Sequence, residues 1–421
     1  MRLEERRVAT SDLQVGMYVC RLDRSWEGTS FPLQGVMIRT QEDIDRLAQY
    51  SRHVYVDTEL GIGPHEGLRL LDDGEVGPAG ASPGRRKLRH YASDEIHRLR
   101  ARTMYVDTMA FDDELPRARD ARGIVAGFAT RMLEDVRLGR ALSADEVRSA
   151  VEPMVESVLR NADAFLWVDR LRQRGEYAYS HALGCSALCA AFGRHIGFPE
   201  DLLVDMAIGG LLLDVGKLRV DGELVDRAGP LTPDEMARMR AHVGHGLAIV
   251  DEGRVVPRHV REMIAGHHER EDGSGYPDGL GGDRVPLLAK IAGLIDSFEA
   301  MTSERPWAAA VSRHDALQAL YRDRGTLYAP ELVEQLMQCL GVYPTGSLVE
   351  LSSGEVALVM GQNLARRLKP KVMVLTAPDK TLLQNFRAVD LMTHVAYGEP
   401  VTIVETLLPG AYGLVPQELF L

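Results

Sequence analysis

The chain has 421 residues, enough for about three domains, and its 45% hydrophobic and 26% charged content is typical of a soluble globular protein. Its 61 acidic residues outnumber 49 basic ones, and the net charge of −12 argues against a nucleic-acid partner. No apolar run approaches the roughly 20 residues that span a bilayer, and the amino terminus lacks a signal-peptide core. Four scattered cysteines exclude a disulfide framework, so we expect a cytoplasmic protein without a membrane partner.

Residues 1–60 alternate between apolar and turn-forming positions, which predicts a small β-rich regulatory module containing one helix. The expected strands lie over 13–22, with a bend at Gly16, over 36–38 and over 53–56, and the helix lies over 41–50. The next segment, 61–90, is rich in glycine and proline and is predicted to be a flexible linker.

Most of the remaining chain has the spacing of helices, with apolar side chains recurring three and four positions apart. We expect a helical connector over 91–165 and a larger helical domain over 166–340. Alternating runs separated by turns then predict a strand-rich segment over 341–421. Its expected strands lie over 347–351, 356–360 and 372–376. The predicted fold class is mainly α, with a small amino-terminal α/β module and a strand-rich carboxy-terminal segment.

The stretch 267–277, HHEREDGSGYP, is the most informative part of the chain. Two adjacent histidines, His267 and His268, cannot both point into one apolar core, but both can reach a metal where a helix ends. The residues that follow are typical of a turn, because glycine allows positive φ. The pattern therefore predicts one wall of a metal site. The alternative is a solvated helix end followed by a polar loop.

Further imidazoles and carboxylates suited to metal binding occur through the helical region, at His181, Asp214, His242 and Asp296. Asp214 and Asp296 each end an apolar run, where a carboxylate is costly to bury unless it is paired or metal-bound. Mixed imidazole and carboxylate ligands suit iron, manganese, zinc or nickel. Six ligands are too many for one catalytic metal with open positions, so we expect two metals that share one carboxylate.

At these residues the sequence resembles the HD-GYP domain, the branch of the HD-superfamily phosphohydrolases that hydrolyses cyclic di-GMP. The resemblance covers about 166–340 and implies an HD-type helical bundle with a metal centre. It rests on Tyr177 with His181, Asp214-Val215-Gly216-Lys217, His242, the 267–277 motif, Asp296 and Glu304-Arg305-Pro306. Residues 1–61 resemble the small domain of unknown function often joined to HD-GYP domains, and 341–421 resemble the tail of the same architecture.

The resemblance implies a metal-dependent cyclic di-GMP phosphodiesterase in which a metal-bound water attacks the phosphodiester. Asp214 and Lys217 would be catalytic, and Arg305, Lys217, Gly273 and Tyr276 would bind the substrate. The cofactors would be at most two divalent transition metals, with iron or manganese favoured over nickel or zinc. Diguanylate cyclase (GGDEF) domains and a second copy of the chain, forming a homodimer, are further candidate partners.

The sequence departs from the family pattern at the histidine that names the HD motif, which is Leu213 here. By the family's scheme, the first metal would take His181, the missing histidine, Asp214 and Asp296. The second metal would take Asp214, His242, His267 and His268. Because leucine cannot bind a metal, either a water fills the gap or the first metal is weak or absent.

Other positions near these motifs have less specific interpretations. His245 could replace the lost ligand, although an exposed position of no special role is the simpler interpretation. Cys185 and Cys189 share a helix face with His181, and small buried side chains explain them better than thiolate ligands. Tyr177 stands where some members carry a glutamate associated with a third metal, which is why two metals are the maximum.

Two other functions remain open at this point. The first is a degenerate domain that binds cyclic di-GMP or a signalling protein with little turnover. Leu213 favours it, as does Ala308, which offers no second cation beside Arg305. The retained ligands argue against it, since an inactive domain need not keep them. The second is a nucleotidase or another HD phosphohydrolase, which the intact Gly-Ser-Gly-Tyr-Pro sequence disfavours.

Overall fold

The chain divides into two compact units, Met1–Leu88 and Arg89–Leu421. The computed structural model describes residues 5–22, 36–38, 40–57, 105–171, 177–253, 256–305, 308–363, 366–396 and 398–419. The predicted linker over 61–90 and the start of the predicted connector, 91–104, lie outside the described residues.

The first unit contains a four-stranded antiparallel sheet and one helix. Its elements are β1 (Glu5–Ala9), β2 (Tyr18–Leu22), β3 (Val36–Met37), α1 (Gln41–Tyr50) and β4 (His53–Asp57), with the strands in the order β1-β4-β2-β3. The helix has its predicted bounds because the Thr40 side chain accepts a hydrogen bond from the Asp43 backbone N–H. The strand predicted over 13–22 begins only at Tyr18, since Gly16 adopts a φ of 99° in the preceding turn.

The second unit begins with a series of helices, most of which share one continuous hydrophobic core. These helices are α2 (Phe111–Arg137), α3 (Ala144–Arg160), α4 (Ala162–Leu171), α5 (Tyr177–Ile196), α6 (Glu200–Leu212), α7 (Gly222–Val225), α8 (Pro233–Arg240), α9 (His242–Glu252), α10 (Arg258–Gly266), α11 (Leu287–Thr302), α12 (Arg313–Arg322) and α13 (Pro330–Leu340). The mainly α architecture predicted from apolar spacing is confirmed.

Helices α5 and α6 form the centre of this bundle, and α6 is buried on all sides from Leu202 onward. Gly210 of α6 touches the backbone of α5 directly. A Cβ atom at Gly210 would lie 2.6 Å from the carbonyl oxygen of Cys185, so only glycine allows this approach. Because the helices are so close, Asp214, just beyond the end of α6, lies beside His181 of α5.

The strand-rich carboxy-terminal segment is also confirmed. Its elements are β5 (Leu348–Leu351), β6 (Val356–Gly361), β7 (Lys371–Thr376), β8 (Leu382–Asp390), β9 (Val395–Ala396), β10 (Glu399–Pro400), β11 (Ile403–Leu407) and a final helix, α14 (Pro416–Leu419). Five strands form an antiparallel sheet in the order β11-β5-β6-β7-β8. Leu348 and Leu358 join the helical core, while Val349 and Val359 belong to a second core. The three predicted strands are β5 to β7, and β8 to β11 were not among the predicted strands.

Candidate metal centre

The predicted ligands come from five separate helices or helix ends and meet in one region. His181 lies on α5, and Asp214 follows the end of α6. His242 is the first residue of α9, and His267 follows the last residue of α10, as the helix-end prediction required. Asp296 lies within α11, which continues to Thr302 and so does not end at this carboxylate.

One cluster, the His-rich group, consists of Asp214, His242, His267 and His268, whose ligand atoms all lie within 4.8 Å of one another. His242 Nε2 lies 3.4 Å from His267 Nε2 and 3.4 Å from Asp214 Oδ1. The Nδ1 atoms of His242 and His267 face the carbonyl oxygens of Met239 and Ile264, at 2.8 and 2.9 Å. These bonds place the proton on Nδ1 and leave both Nε2 atoms free to bind a metal.

The electrostatics of the His-rich group also suit a cation. Burial lowers the pKa of His242 to about 4, and it lowers the pKa values of His267 and His268 as well, so the three imidazoles are neutral. Burial alone would raise the pKa of Asp214, but the charges of Lys217 and His181 outweigh it and hold the carboxyl ionised. Asp214 Oδ1 is buried and has no hydrogen-bond partner among the described residues, which a bound cation would correct.

A second cluster, the His181 group, consists of His181, Cys185 and Asp296. His181 Nε2 lies 2.9 Å from Asp296 Oδ1 and 3.6 Å from Cys185 Sγ. Asp214 Oδ2 also lies close to this nitrogen, at 3.5 Å. Asp214 therefore presents one oxygen to each group, as a bridging ligand would.

Glu299 orients the ring of His181 from the other side. One carboxylate oxygen contacts His181 Nδ1, and the other accepts a hydrogen bond of 2.7 Å from the Ser303 hydroxyl. Burial opposes a charge on His181, but Cys185, Glu299 and Asp296 outweigh it and raise the pKa of the imidazole well above its usual value. A histidine held by a carboxylate at Nδ1 presents Nε2 to a metal.

The lost histidine is not replaced by the residue proposed from the sequence. Leu213 is 1% exposed and belongs to the hydrophobic core. His245 is in neither group, and its Nδ1 atom is buried without a partner in the part of the chain described. Cys185 is buried, as expected, and its Sγ lies 3.6 Å from Nε2 of His181, on the helix face that the spacing of four residues predicted.

Lys217 and Arg305, the two basic residues expected to bind substrate, have different surroundings. Lys217 Nζ donates to Asp214 Oδ2 at 2.6 Å. Burial by itself would lower the pKa of Lys217, but Asp214 and Asp296 outweigh it and raise the pKa above its usual value. Arg305 lies in a short β-bridge with Ala308, and its buried Nε has no hydrogen-bond partner among the described residues.

The loop after the histidine pair folds back over the His-rich group. The ring of Tyr276 stacks on His268 with centroids 4.5 Å apart, and Arg240 lies 4.8 Å from the Tyr276 centroid. The buried Glu269 carboxylate accepts hydrogen bonds of 2.8 Å from the backbone N–H groups of Asp278 and Leu280. Sequence reasoning missed Glu269, which closes this loop and holds Tyr276 against the site.

Two family models and a relative of known name match most of the chain. Residues 157–332 match the family model of the HD domain, and residues 5–147 match a domain of unknown function, DUF3391. The chain is 28% identical over 374 residues to a cyclic di-GMP phosphodiesterase of Pseudomonas aeruginosa, which covers 88% of this chain and 84% of the relative.

Other relatives match shorter parts of the chain. A cyclic di-GMP phosphodiesterase response regulator of Xanthomonas campestris is 36% identical over 40% of this chain and 45% of its own length. A 3'3'-cGAMP-specific phosphodiesterase of Vibrio cholerae is 31% identical over 40% of this chain and 32% of its own length. The chain thus spans less than half the length of these two relatives.

A solved HDG"Y"P protein from Bdellovibrio bacteriovorus aligns with 79% of this chain and 98% of its own, at 16% identity and a TM-score of 0.45. None of the helices in the described part of the chain is long and apolar enough to cross a membrane. With both family models matched and the HHExxDGxGYP motif in place, the chain belongs to the HD-GYP proteins, as an HD domain preceded by a DUF3391 domain.

Proposed function

We propose that the protein is a metal-dependent cyclic di-GMP phosphodiesterase. The observation that carries this proposal is the position of Asp214 between the two groups. Its Oδ1 lies 3.4 Å from His242 Nε2, and its Oδ2 lies 3.5 Å from His181 Nε2. A carboxylate shared in this way is typical of two-metal phosphoesterase sites. The relatives named as cyclic di-GMP phosphodiesterases support the substrate.

The donor atoms fit two divalent cations. The His-rich group offers three neutral imidazoles and an ionised carboxylate. Asp214 Oδ1, which has no hydrogen-bond partner in the part of the chain that the structure describes, is an acceptor that a cation would satisfy. His181 and Asp296, together with Asp214 Oδ2, would hold the other cation. When bound, such cations supply a hydrolytic nucleophile at neutral pH and stabilise negative charge on the phosphoryl oxygens. Imidazole and carboxylate donors favour iron or manganese, with nickel or zinc as alternatives.

The chain's own residues would hold and orient the substrate. Lys217 is a fixed cation beside the shared carboxylate, where it can attract a phosphoryl oxygen. Among the described residues the buried Nε of Arg305 has no partner, and a guanidinium is suited to bidentate phosphate contact. Tyr276, held by the loop that contains Gly273, covers His268 and limits the access of water to the His-rich group.

A second candidate is a domain that binds cyclic di-GMP or a signalling protein with little turnover. The observation that favours it is the burial of Leu213 in the core at the position of the lost ligand. Metal content and turnover measured on the same preparation separate the two functions, because the binding domain would take up the dinucleotide without producing linear dinucleotide or GMP.

The test uses full-length protein purified without chelator, elemental analysis and chromatographic assay of cyclic di-GMP hydrolysis. The matched pair is His242→Ala and His245→Ala, since both residues lie on α9 but only His242 belongs to the His-rich group. We expect His242→Ala to lose metal and turnover and His245→Ala to keep both. Wild-type protein without transition metal or hydrolysis would overturn the proposal.

A further inference from the structure

The His181 group contains a donor that the family scheme does not include. With Leu213 in place of histidine, the expected ligands of this metal are one imidazole and two carboxylates. His181 Nε2 lies 2.9 Å from Asp296 Oδ1 and 3.5 Å from Asp214 Oδ2. The thiol of Cys185 lies 3.6 Å from the same nitrogen, and the residue is fully buried.

Two of these three separations from His181 Nε2 match those of a tetrahedral site. With metal–nitrogen bonds of about 2.0–2.1 Å and metal–sulfur bonds of about 2.3 Å, nitrogen and sulfur ligands lie about 3.6 Å apart, and nitrogen and oxygen ligands about 3.3 Å. The observed distance from His181 Nε2 to Cys185 Sγ is 3.6 Å, and that to Asp214 Oδ2 is 3.5 Å. Asp296 Oδ1, at 2.9 Å, would need to move away by a few tenths of an ångström. Cys185 Sγ also lies 3.9 Å from Nδ1, so the thiol would need to shift from beside the ring toward the Nε2 side.

The surroundings of His181 leave Nε2 as its metal-binding atom. Its Nδ1 faces the Glu299 carboxylate, which is itself held by the Ser303 hydroxyl. Cys189, one helical turn beyond Cys185, is equally buried but belongs to neither cluster. Asp214 Oδ2 also accepts from Lys217 Nζ at 2.6 Å, so an ammonium lies beside the site and offsets part of the negative charge of its donors.

We propose that the sulfur of Cys185 takes the place of the lost imidazole and completes a site formed by His181, Cys185, Asp214 and Asp296. When the metal binds, the S–H bond breaks, a metal–sulfur bond forms, and the proton leaves to solvent. A thiolate shifts the preference of this site toward zinc and ferrous iron and away from manganese and magnesium. This inference rests on the proposed function, because it assumes that the protein binds divalent cations. It does not require that the protein hydrolyses cyclic di-GMP.

Cobalt(II) tests the ligand directly, because a thiolate bound to cobalt gives an intense near-ultraviolet charge-transfer band that imidazole and carboxylate ligands lack. Metal-free full-length protein would be titrated with cobalt(II) without oxygen, alongside Cys185→Ser and the matched control Cys189→Ala. We expect the band in the wild type and in Cys189→Ala. In Cys185→Ser the band should vanish, and one cobalt equivalent should bind about tenfold more weakly or worse.

Two further variants keep the test decisive if Cys185→Ser does not fold. A variant that retains Cys185 as its only cysteine, with Cys20, Cys189 and Cys339 changed to alanine, should keep the band. Adding Leu213→His to Cys185→Ser should restore the weakened cobalt equivalent without the band, because the imidazole returns as the fourth donor. If the wild type binds two equivalents of cobalt without any charge-transfer band, the proposal is overturned.

The test of Cys185 as a metal ligand can fail or succeed independently of the test of the phosphodiesterase function. Hydrolysis of cyclic di-GMP by a wild-type protein that lacks the cobalt–thiolate band would remove Cys185 from the site and leave the phosphodiesterase in place. A clear band in a protein that hydrolyses no cyclic dinucleotide would establish the ligand and overturn the function.

Discussion

Gly184 leaves the space through which Glu299 reaches His181. A Cβ atom at Gly184 would lie 2.8 Å from Glu299 Oε1 and 2.9 Å from Glu299 Cγ. The Glu299 side chain is accommodated because the facing helix has no side chain at this point. The orientation of a metal-site histidine therefore depends on a glycine that contacts no metal.

Gly184→Ala should displace Glu299, release Nδ1 of His181 and weaken metal binding at the His181 group by about 10–100-fold, the usual effect of losing such a supporting contact. Metal titration of the metal-free protein measures this. Gly123→Ala on α2 is the control, since nothing lies within 4 Å of its Cβ position. The control should stabilise the protein by up to about 1 kcal/mol and leave metal affinity unchanged. Equal metal affinities for the two variants would contradict the role given to Glu299.

Leu213→His should increase manganese occupancy of the His181 group, because an imidazole is a donor that manganese accepts more readily than a thiolate. Elemental analysis at fixed free manganese, with the melting temperature, tests this. Leu212→His is the control, as Leu212 is buried equally deeply in the preceding position, at 1% exposure for both. If the surroundings have repacked around leucine, both variants would lose about 1–3 kcal/mol of stability and gain no metal.

Arg305→Ala should weaken binding of cyclic di-GMP by roughly 1.5–3 kcal/mol, the usual range for hydrogen bonds to charged groups. The reason is that an acidic protein must gather local cations to hold a phosphodiester, and the buried Nε of Arg305 lacks a partner among the described residues. Calorimetry with a non-hydrolysable analogue measures the change, with Arg322→Ala on the exposed side of α12 as control. Unchanged affinity in Arg305→Ala would remove this residue from the site.

The buried carboxyl group of Asp163 should make the free energy of unfolding depend on pH. Burial raises its pKa to about 6, although the Gln362 N–H and the Thr345 hydroxyl, both at 2.8 Å, favour the charged form. Since the folded carboxyl binds its proton more tightly than the unfolded one, stability falls as pH rises from about 4 to about 6 and then levels off.

Between pH 4.5 and pH 7 this contribution should lower the free energy of unfolding by about 2 kcal/mol. Urea denaturation of metal-free wild type and Asp163→Asn at both pH values isolates the effect, because the other titrating groups are common to the two proteins. A pH dependence that is the same in both would show that Asp163 keeps an ordinary pKa.

Secondary structure was predictable where the signals are local. Helix α1 has its predicted bounds because Thr40 and Asp43 form a capping box within a few residues. The end of α10 at His267 was likewise marked by the turn residues that follow it. Strand β8 was missed because most of its side chains are exposed, so its residues lack the alternation that reveals a half-buried strand.

The sequence by itself determined the kinds of metal ligand and the turn that carries the histidine pair, because side-chain chemistry and glycine conformations are properties of single residues and short segments. Which ligands share a metal was decided only by the tertiary structure. Gly210 lets α6 pack onto the backbone at Cys185, and this approach brings Asp214 to 3.5 Å from His181. Cys185 lies beside His181 because the two residues are four positions apart on α5, whereas its approach to Asp296 of α11 follows from packing between helices.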